Sequence, residues 1–225
     1  MSPVTDTNRL IEQLSSHAAP VRRMASPLQR TLAWLVLALL VAAVIAANSD
    51  ARAGWARMLA SPMATFEWAM SLLTGVLAAY AVFQISVPGR DPRWAWLPLP
   101  IALLWMGGLG VGCLGDIARN AGAGLAFNTH GMECMRAITL TSIPLGLVLL
   151  LMVRHAGVVR PGRSALLAML SAAALASSTV SLIHDGRESA LMVLLWHVGA
   201  VLGLSLLSLL FSRQMFAWVG YARPA

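Results

Sequence analysis

Six long apolar runs constrain what this chain of 225 residues can fold into. A helix needs about 20 consecutive apolar residues to cross the hydrocarbon core of a bilayer. Hydropathy windows place such spans at Leu28–Ala47, Ala64–Val87, Trp94–Gly115, Ala137–Val153, Ala165–Ile183 and Ala190–Phe211. Only 11% of the residues are charged, whereas a soluble domain has roughly a quarter. The sequence therefore predicts an all-α, polytopic membrane protein with six transmembrane helices.

The connections between the predicted spans are mostly tight turns, such as "VPGRDPR" and "HDGRES". Short connections favour antiparallel neighbours, so we expect the six spans to form three antiparallel hairpins. The predicted organisation is a cytoplasmic segment with a short amphipathic helix over residues 1–27, a membrane domain over residues 28–212, and a cytoplasmic tail over residues 213–225.

The basic residues fix the expected orientation. All 16 of them are arginine, and eleven fall on the side of the two termini against five on the other side. Basic residues near the ends of spans stay in the cytoplasm, so both termini are predicted to be cytoplasmic. Because the arginines lie mostly in short loops, the net charge of +7 does not indicate direct binding of nucleic acid.

The segment before the first span has the pattern of a short amphipathic helix. Residues 5–7 are polar and can serve as N-caps, Leu10, Ile11 and Leu14 fall on one stripe, and Pro20 ends the pattern. A helix of roughly 12 residues is marginal alone in water, so the stripe needs a surface to lie on. The candidates are the membrane, the inner ends of the spans, or a groove on a cytoplasmic protein.

A basic pair, Arg22 and Arg23, follows this helix. Two roles are open for it. Arginines at the cytoplasmic end of a span commonly anchor its orientation, and a guanidinium can also pair with carboxylates of a partner.

The predicted outer loops hold the side chains with the most reactive chemistry. These are Cys113, His130, Cys134, His184 and Asp185. Thiolate, imidazole and carboxylate groups together can hold a soft metal ion, with Cys134, His130, His184 and Asp185 as the candidate ligands. Cys113 and Cys134 are also candidates for a redox pair in an oxidising compartment. Buried packing cysteines are the third interpretation, because the spacing matches no metal motif.

Catalytic chemistry is scarce in this sequence. Glu67 and His197 are the main ionisable residues within the spans, and no nucleophile–base arrangement or phosphate-binding loop stands out. We therefore expect a regulator or sensor rather than an enzyme, with no certain cofactor. A small-molecule or metal permease, or an accessory membrane protein, is the alternative, although the spans offer little for a polar path.

Several stretches together resemble the NrsF family of bacterial integral-membrane anti-sigma factors. They are "LIEQLSSHAAPVRRM" and "PLQR" around the start of the first span, "VPGRDPRW", "GLGVGCLGD", "ECMRAITLTSIP", "SLIHDG" and "LMVLLWHVGA". Their order and spacing over nearly the whole chain carry the resemblance.

The resemblance implies a six-span protein that holds an extracytoplasmic-function sigma factor inactive at the bacterial inner membrane. It also implies release of that factor when metal or oxidative stress is sensed on the periplasmic side. On this interpretation the N-terminal helix and the Arg22–Arg23 pair contact the sigma factor, and Cys134 corresponds to an outer sensor cysteine.

One departure from the family pattern concerns the sensor. The family has a second cysteine just before the sixth span, where this chain has Ile183, His184 and Asp185. A disulfide from Cys134 to this turn is therefore impossible. Cys113 can substitute as the partner, a heavy-metal ion can be held by Cys134 with His184 or Asp185, or the protein responds to a different stimulus.

Overall fold

The computed structural model describes residues 3–16, 24–120, 131–154, 160–183, 191 and 194–218, and their regular secondary structure is helical. The α-helices are α1 (Pro3–Ser16), α2 (Pro27–Ala47), α3 (Ala51–Ala60), α4 (Pro62–Ile85), α5 (Leu99–Asn120), α6 (Gly131–Arg154), α7 (Pro161–Ile183), α8 (Gly199–Leu210) and α9 (Ser212–Trp218). A 3₁₀ helix at Pro92–Trp96 precedes α5, and a π-helical segment at Leu194–Val198 precedes α8.

Five helical stretches are long and apolar enough to cross a membrane. They are Pro27–Ala47, Pro62–Ile85, Pro92–Gly115, Met132–Arg154 and Pro161–Ile183. A further pair of helical stretches, Leu194–Leu210 and Ser212–Trp218, is bent by 72° and brings the number of candidate spans to six if the pair counts as one span. The prediction of an all-α polytopic protein is confirmed, and the bend at Phe211 lies at the end of the predicted sixth span, Ala190–Phe211.

Helix α7 lies at the centre of the bundle, packed against α4, α6 and α8. Of its apolar stretch, 72% is buried inside the protein, against 22% for α2. Residues 171–178 read "SAAALASS", and small side chains of this kind let neighbouring helix backbones approach closely. Protein therefore shields α7, whereas α2 leaves leucines such as Leu39 and Leu40 exposed on the outer surface of the bundle.

The contact between α4 and α7 is held by side-chain hydroxyls that bond to the opposite backbone. Ser71 Oγ of α4 donates to the carbonyl of Ala174 at 2.9 Å, and Ser171 Oγ of α7 donates to the carbonyl of Gly75. A Cβ at Gly75 would lie 2.6 Å from Cγ of Leu175, so a larger residue here would displace the Leu175 side chain. The reciprocal bonds fix the register of the two central helices.

The start of α2 is attached to two other helices. The Arg30 side chain is buried; its guanidinium donates to the carbonyl of Met152 on α6 and lies 4.7 Å from the ring centroid of Phe83 on α4. One turn later, the fully buried Trp34 donates from Nε1 to the carbonyl of Leu145 at 3.4 Å. A charge-assisted bond, a cation–π contact and a buried indole therefore fix this end of α2.

Helix α3 lies between the first two spans and packs on α7. Hydropathy does not reveal it, because the segment carries Arg52 and Arg57 among its alanines. A Cβ at Gly54 would collide with the backbone carbonyl of Leu182, near the end of α7. The glycine therefore permits α3 to rest directly on α7.

The middle pair of spans departs from a simple hairpin. Helix α5 packs mainly on α4 and on the π-helical segment, while α6 packs mainly on α7. Among the described residues, any contact between α5 and α6 is slight. Consecutive spans are packed neighbours elsewhere, so the bundle is organised around α7 rather than as three independent hairpins.

The expected C-terminal tail begins with an ordered element. Residues 213–218 belong to α9, which packs on α7 and α8, and Phe216 is buried in the main hydrophobic cluster.

Candidate functional site

The N-terminal helix α1 presents its apolar stripe to the outside. Leu10, Ile11 and Leu14 are 55%, 58% and 66% exposed. The described residues give α1 no extensive contact with any other helix. The helix itself is confirmed, but it begins at Pro3, so residues 5–7 lie inside it rather than acting as N-caps. Proline starts a helix readily because its ring fixes φ and the first N–H groups need no helical partner.

The segment that joins α1 to the bundle ends at a well-defined helix start. Ser26 Oγ accepts from the Gln29 N–H at 3.3 Å, and Gln29 Oε1 accepts from the Ser26 N–H at 3.0 Å. Pro27 occupies the first turn, so this is a capping box reinforced by proline. The predicted contact residues Arg22 and Arg23 lie outside the described residues.

The two cysteines lie in different surroundings. Cys134 of α6 is 7% exposed and packs with Ile138, Ala176, Val180 and Ala200, at the junction of α6, α7 and α8. Cys113 is also buried, on α5. The two are not joined by a disulfide in this structure.

The remaining candidate metal ligands, His130, His184 and Asp185, lie outside the described residues. Within the described part of the chain, no group of three His, Cys, Asp or Glu side chains is arranged to hold a metal ion. Metal coordination by Cys134 with these residues therefore stays a prediction.

A cavity of about 370 Å³ lies at the end of the bundle where α2 ends and α4 begins. Five elements converge on it: α3, α4, α5, α7 and the π-helical segment. Glu67 and Arg57 are its two oppositely charged lining residues, and the indoles of Trp68 and Trp105 also line it. On the predicted topology this end faces the periplasm.

Glycines of α5 make room for the carboxylate in this cavity. A Cβ at Gly112 would lie 3.3 Å from Oε1 of Glu67, and one at Gly108 would lie 3.6 Å from its Cγ. Nothing lies within 4 Å of a Cβ built at Gly110. Gly108 and Gly112, about one helical turn apart on α5, therefore admit the Glu67 side chain between α4 and α5.

A buried histidine also lines the cavity. His197 is 4% exposed, and its Nδ1 lies 2.9 Å from Oγ of Ser177 on α7. His197 stands within the π-helical segment, a type of helical irregularity that often occurs at functional sites. The neighbouring helix α7 therefore supplies a hydrogen-bond partner for this histidine.

Glu67 and His197 stand out in the sequence as ionisable residues within the spans, but their spacing does not indicate that they line one cavity. The cavity depends on α3 and on the π-helical segment, neither of which hydropathy indicates. The one available signal was the pair Glu67–Trp68, an acidic residue directly before an indole inside an apolar run.

Comparison with known protein families places most of the chain in a described family. Residues 14–218 match the family model described as NrsF, negative regulator of sigma F. Leu14 lies inside the matched region, and Leu10 and Ile11 precede it. Searches of curated proteins and of solved structures found no match. Because the matched region spans nearly the whole chain, this protein belongs to the NrsF family of negative regulators of a sigma factor.

Proposed function

We propose that this protein is a membrane-bound anti-sigma factor that holds an extracytoplasmic-function sigma factor at the cytoplasmic face of the bacterial inner membrane. It acts by binding its partner and not as an enzyme, and it has no direct contact with nucleic acid. The observation that carries the proposal is the exposed apolar stripe of α1, on a chain of the NrsF family. A soluble partner with an apolar groove would cover that stripe.

The orientation supports this arrangement. Eleven of 16 arginines fall on the side of the termini, which favours a cytoplasmic α1. Arg22 and Arg23 follow α1 and supply two guanidinium groups that can pair with carboxylates of the sigma factor. Leu10, Ile11 and Leu14 then supply the apolar part of the interface.

Release is proposed to start on the periplasmic side, on metal or oxidative stress. Cys134 is the sensor, since it packs between α6, α7 and α8 and any added ion or oxygen atom there would push these helices apart. Helix α7 contacts α2 as well, so a shift of α7 can reach the helix that carries the N-terminal segment. Such coupling requires two packing states that differ in their affinity for the sigma factor.

The test is removal of the proposed binding segment in cells that contain the partner. Deletion of residues 1–24 is expected to derepress transcription that depends on the sigma factor, while the remaining protein still inserts in the membrane. Unchanged transcription would contradict the proposal.

A double charge reversal then separates binding from anchoring. Arg22→Glu combined with Arg23→Glu is expected to reduce co-purification of the sigma factor from solubilised membranes. The same double reversal at Arg160 and Arg163, next to the start of α7, is the control for general effects on topology.

A further inference from the structure

The cavity between α3, α4, α5, α7 and the π-helical segment is not explained by binding of a sigma factor. It lies at the end of α2 opposite to the start that follows α1. Its volume of about 370 Å³ falls in the range of small-molecule sites. The lining combines a few polar groups with apolar and aromatic walls, which is also typical of such sites.

Two opposite charges line this cavity without neutralising each other. Among the described residues, the Glu67 carboxylate has no cation within ion-pair distance, and the exposed Arg57 guanidinium has no carboxylate within that distance. Glu67 is half-buried between α4 and α5, so it lies deeper than Arg57. A ligand with one positive and one negative group would complement both.

The hydroxyl groups around the cavity are already used within the protein. Ser71 donates to the carbonyl of Ala174, Ser181 donates to the carbonyl of Ser177 at 2.9 Å, and Ser177 is bonded to His197. These hydroxyl groups are fixed by bonds within the protein, so selectivity for a ligand depends on the two charged side chains, Glu67 and Arg57.

The aromatic lining favours a particular positive group. Trp105 is 2% exposed, and Trp68 is held in place because its Nε1 donates to the carbonyl of Ser178 at 3.1 Å. Indole faces attract cations through the charge distribution of the ring, and quaternary ammonium groups are bound in this way. Because both tryptophans line the cavity that Glu67 also lines, the site suits an alkylated ammonium better than a strongly hydrated one.

We infer that this cavity is a binding site for a small zwitterion, with an ammonium group directed at Glu67, Trp68 and Trp105 and a carboxylate directed at Arg57. The site needs neither a metal ion nor either cysteine. The test of this site is independent of the proposed anti-sigma role, because ligand binding is measured without a sigma factor.

The test uses the full chain in lipid nanodiscs and isothermal titration with three probes. Glycine betaine carries both charges, choline carries only the quaternary ammonium, and acetate carries only the carboxylate. We expect saturable binding of betaine at one site per chain, weaker binding of choline, and no binding of acetate.

Two substitutions test which charged residue binds each charged group of betaine. Glu67→Gln is expected to weaken betaine binding by about tenfold or more, because it removes the negative charge that attracts the quaternary ammonium. Arg57→Gln is expected to weaken betaine to the level of choline and to leave choline unchanged. Glu133→Gln and Arg52→Gln, at exposed positions outside the cavity, are the matched controls.

A third substitution keeps both charged residues and fills part of the cavity. Ala64 lines the cavity, so Ala64→Leu is expected to abolish betaine binding while both charged residues remain. Thermal unfolding of each variant in nanodiscs checks that the fold is retained.

Three results would overturn the inference. They are absence of saturable binding of betaine to the wild-type chain, unchanged betaine affinity in a folded Glu67→Gln protein, and equal binding of betaine and choline with no effect of Arg57→Gln.

Discussion

Shortening two leucines of α1 is the most direct test of the proposed sigma-binding stripe. The change is Leu10→Ala with Leu14→Ala, which keeps a helix-favouring residue at each position. Both side chains are more than half exposed, at 55% and 66%. The substitution therefore leaves the packing of the bundle intact and acts only on what covers the stripe.

The expected loss of affinity follows from the exposed fractions. Each substitution removes three carbon atoms, worth about 2.4 kcal/mol if they pass fully from water into an apolar groove. Scaled by the exposed fractions, Leu10 contributes about 1.3 kcal/mol and Leu14 about 1.6 kcal/mol. The double variant should lose about 3 kcal/mol, which is roughly a hundredfold in Kd.

The assay is titration of the purified sigma factor against the protein in nanodiscs, with sigma-dependent transcription measured in parallel in cells. Glu12→Ala with Gln13→Ala, two polar exposed positions of the same helix, is the matched control and should change affinity little. A double leucine variant that binds the sigma factor as tightly as the wild type would refute the assignment of the stripe.

Three other predictions concern the bundle. Arg30→Gln should destabilise the protein by about 2–3 kcal/mol, since the charge-assisted bond to Met152 and the contact with Phe83 at the start of α2 are lost. Thermal unfolding in nanodiscs measures this loss of stability, and an unchanged unfolding midpoint would contradict the prediction. Gly54→Ala should cost about 1–3 kcal/mol by forcing α3 away from the Leu182 carbonyl, whereas Gly110→Ala, with open space around its Cβ, should be neutral or slightly stabilising by the same measurement. Cys134→Ser should abolish sigma-dependent transcription in response to thiol-reactive metal or oxidant while repression is kept. Cys113→Ser should retain that response, and loss of the response in both variants would show that the cysteines act as a pair.

The apolar runs were sufficient to predict the membrane-spanning helices but not how they pack. The predicted first span, Leu28–Ala47, agrees with α2, and the predicted fifth span, Ala165–Ile183, begins four residues after α7 does. Hydropathy detects these because a span must be apolar over its whole length. It carries no information on which helix is central, because alanine and serine can face either lipid or another helix.

The features that form the cavity lined by Arg57 and Glu67 depend on tertiary contacts. Helix α3 is too short and too charged for a hydropathy signal, and it is held by the close approach of Gly54 to α7. The π-helical segment around His197 differs from an α-helix only in its hydrogen-bond register, which composition does not determine. The sequence showed both charges of the cavity, Arg57 and Glu67, but not that they line one space.

The fixed start of α2 also sets how far the N-terminal helix can reach. The capping box at Ser26 and the attachment of Arg30 hold that point on the bundle, and the chain from Ser16 to Met24 makes eight Cα–Cα steps. A fully extended chain of eight residues covers at most about 28 Å. On the proposed function, this linker limits how far α1 can move from the bundle. A sigma factor bound to α1 therefore stays within one small-protein diameter of the lipid surface. Promoter DNA and polymerase would have to come to the membrane to compete for it.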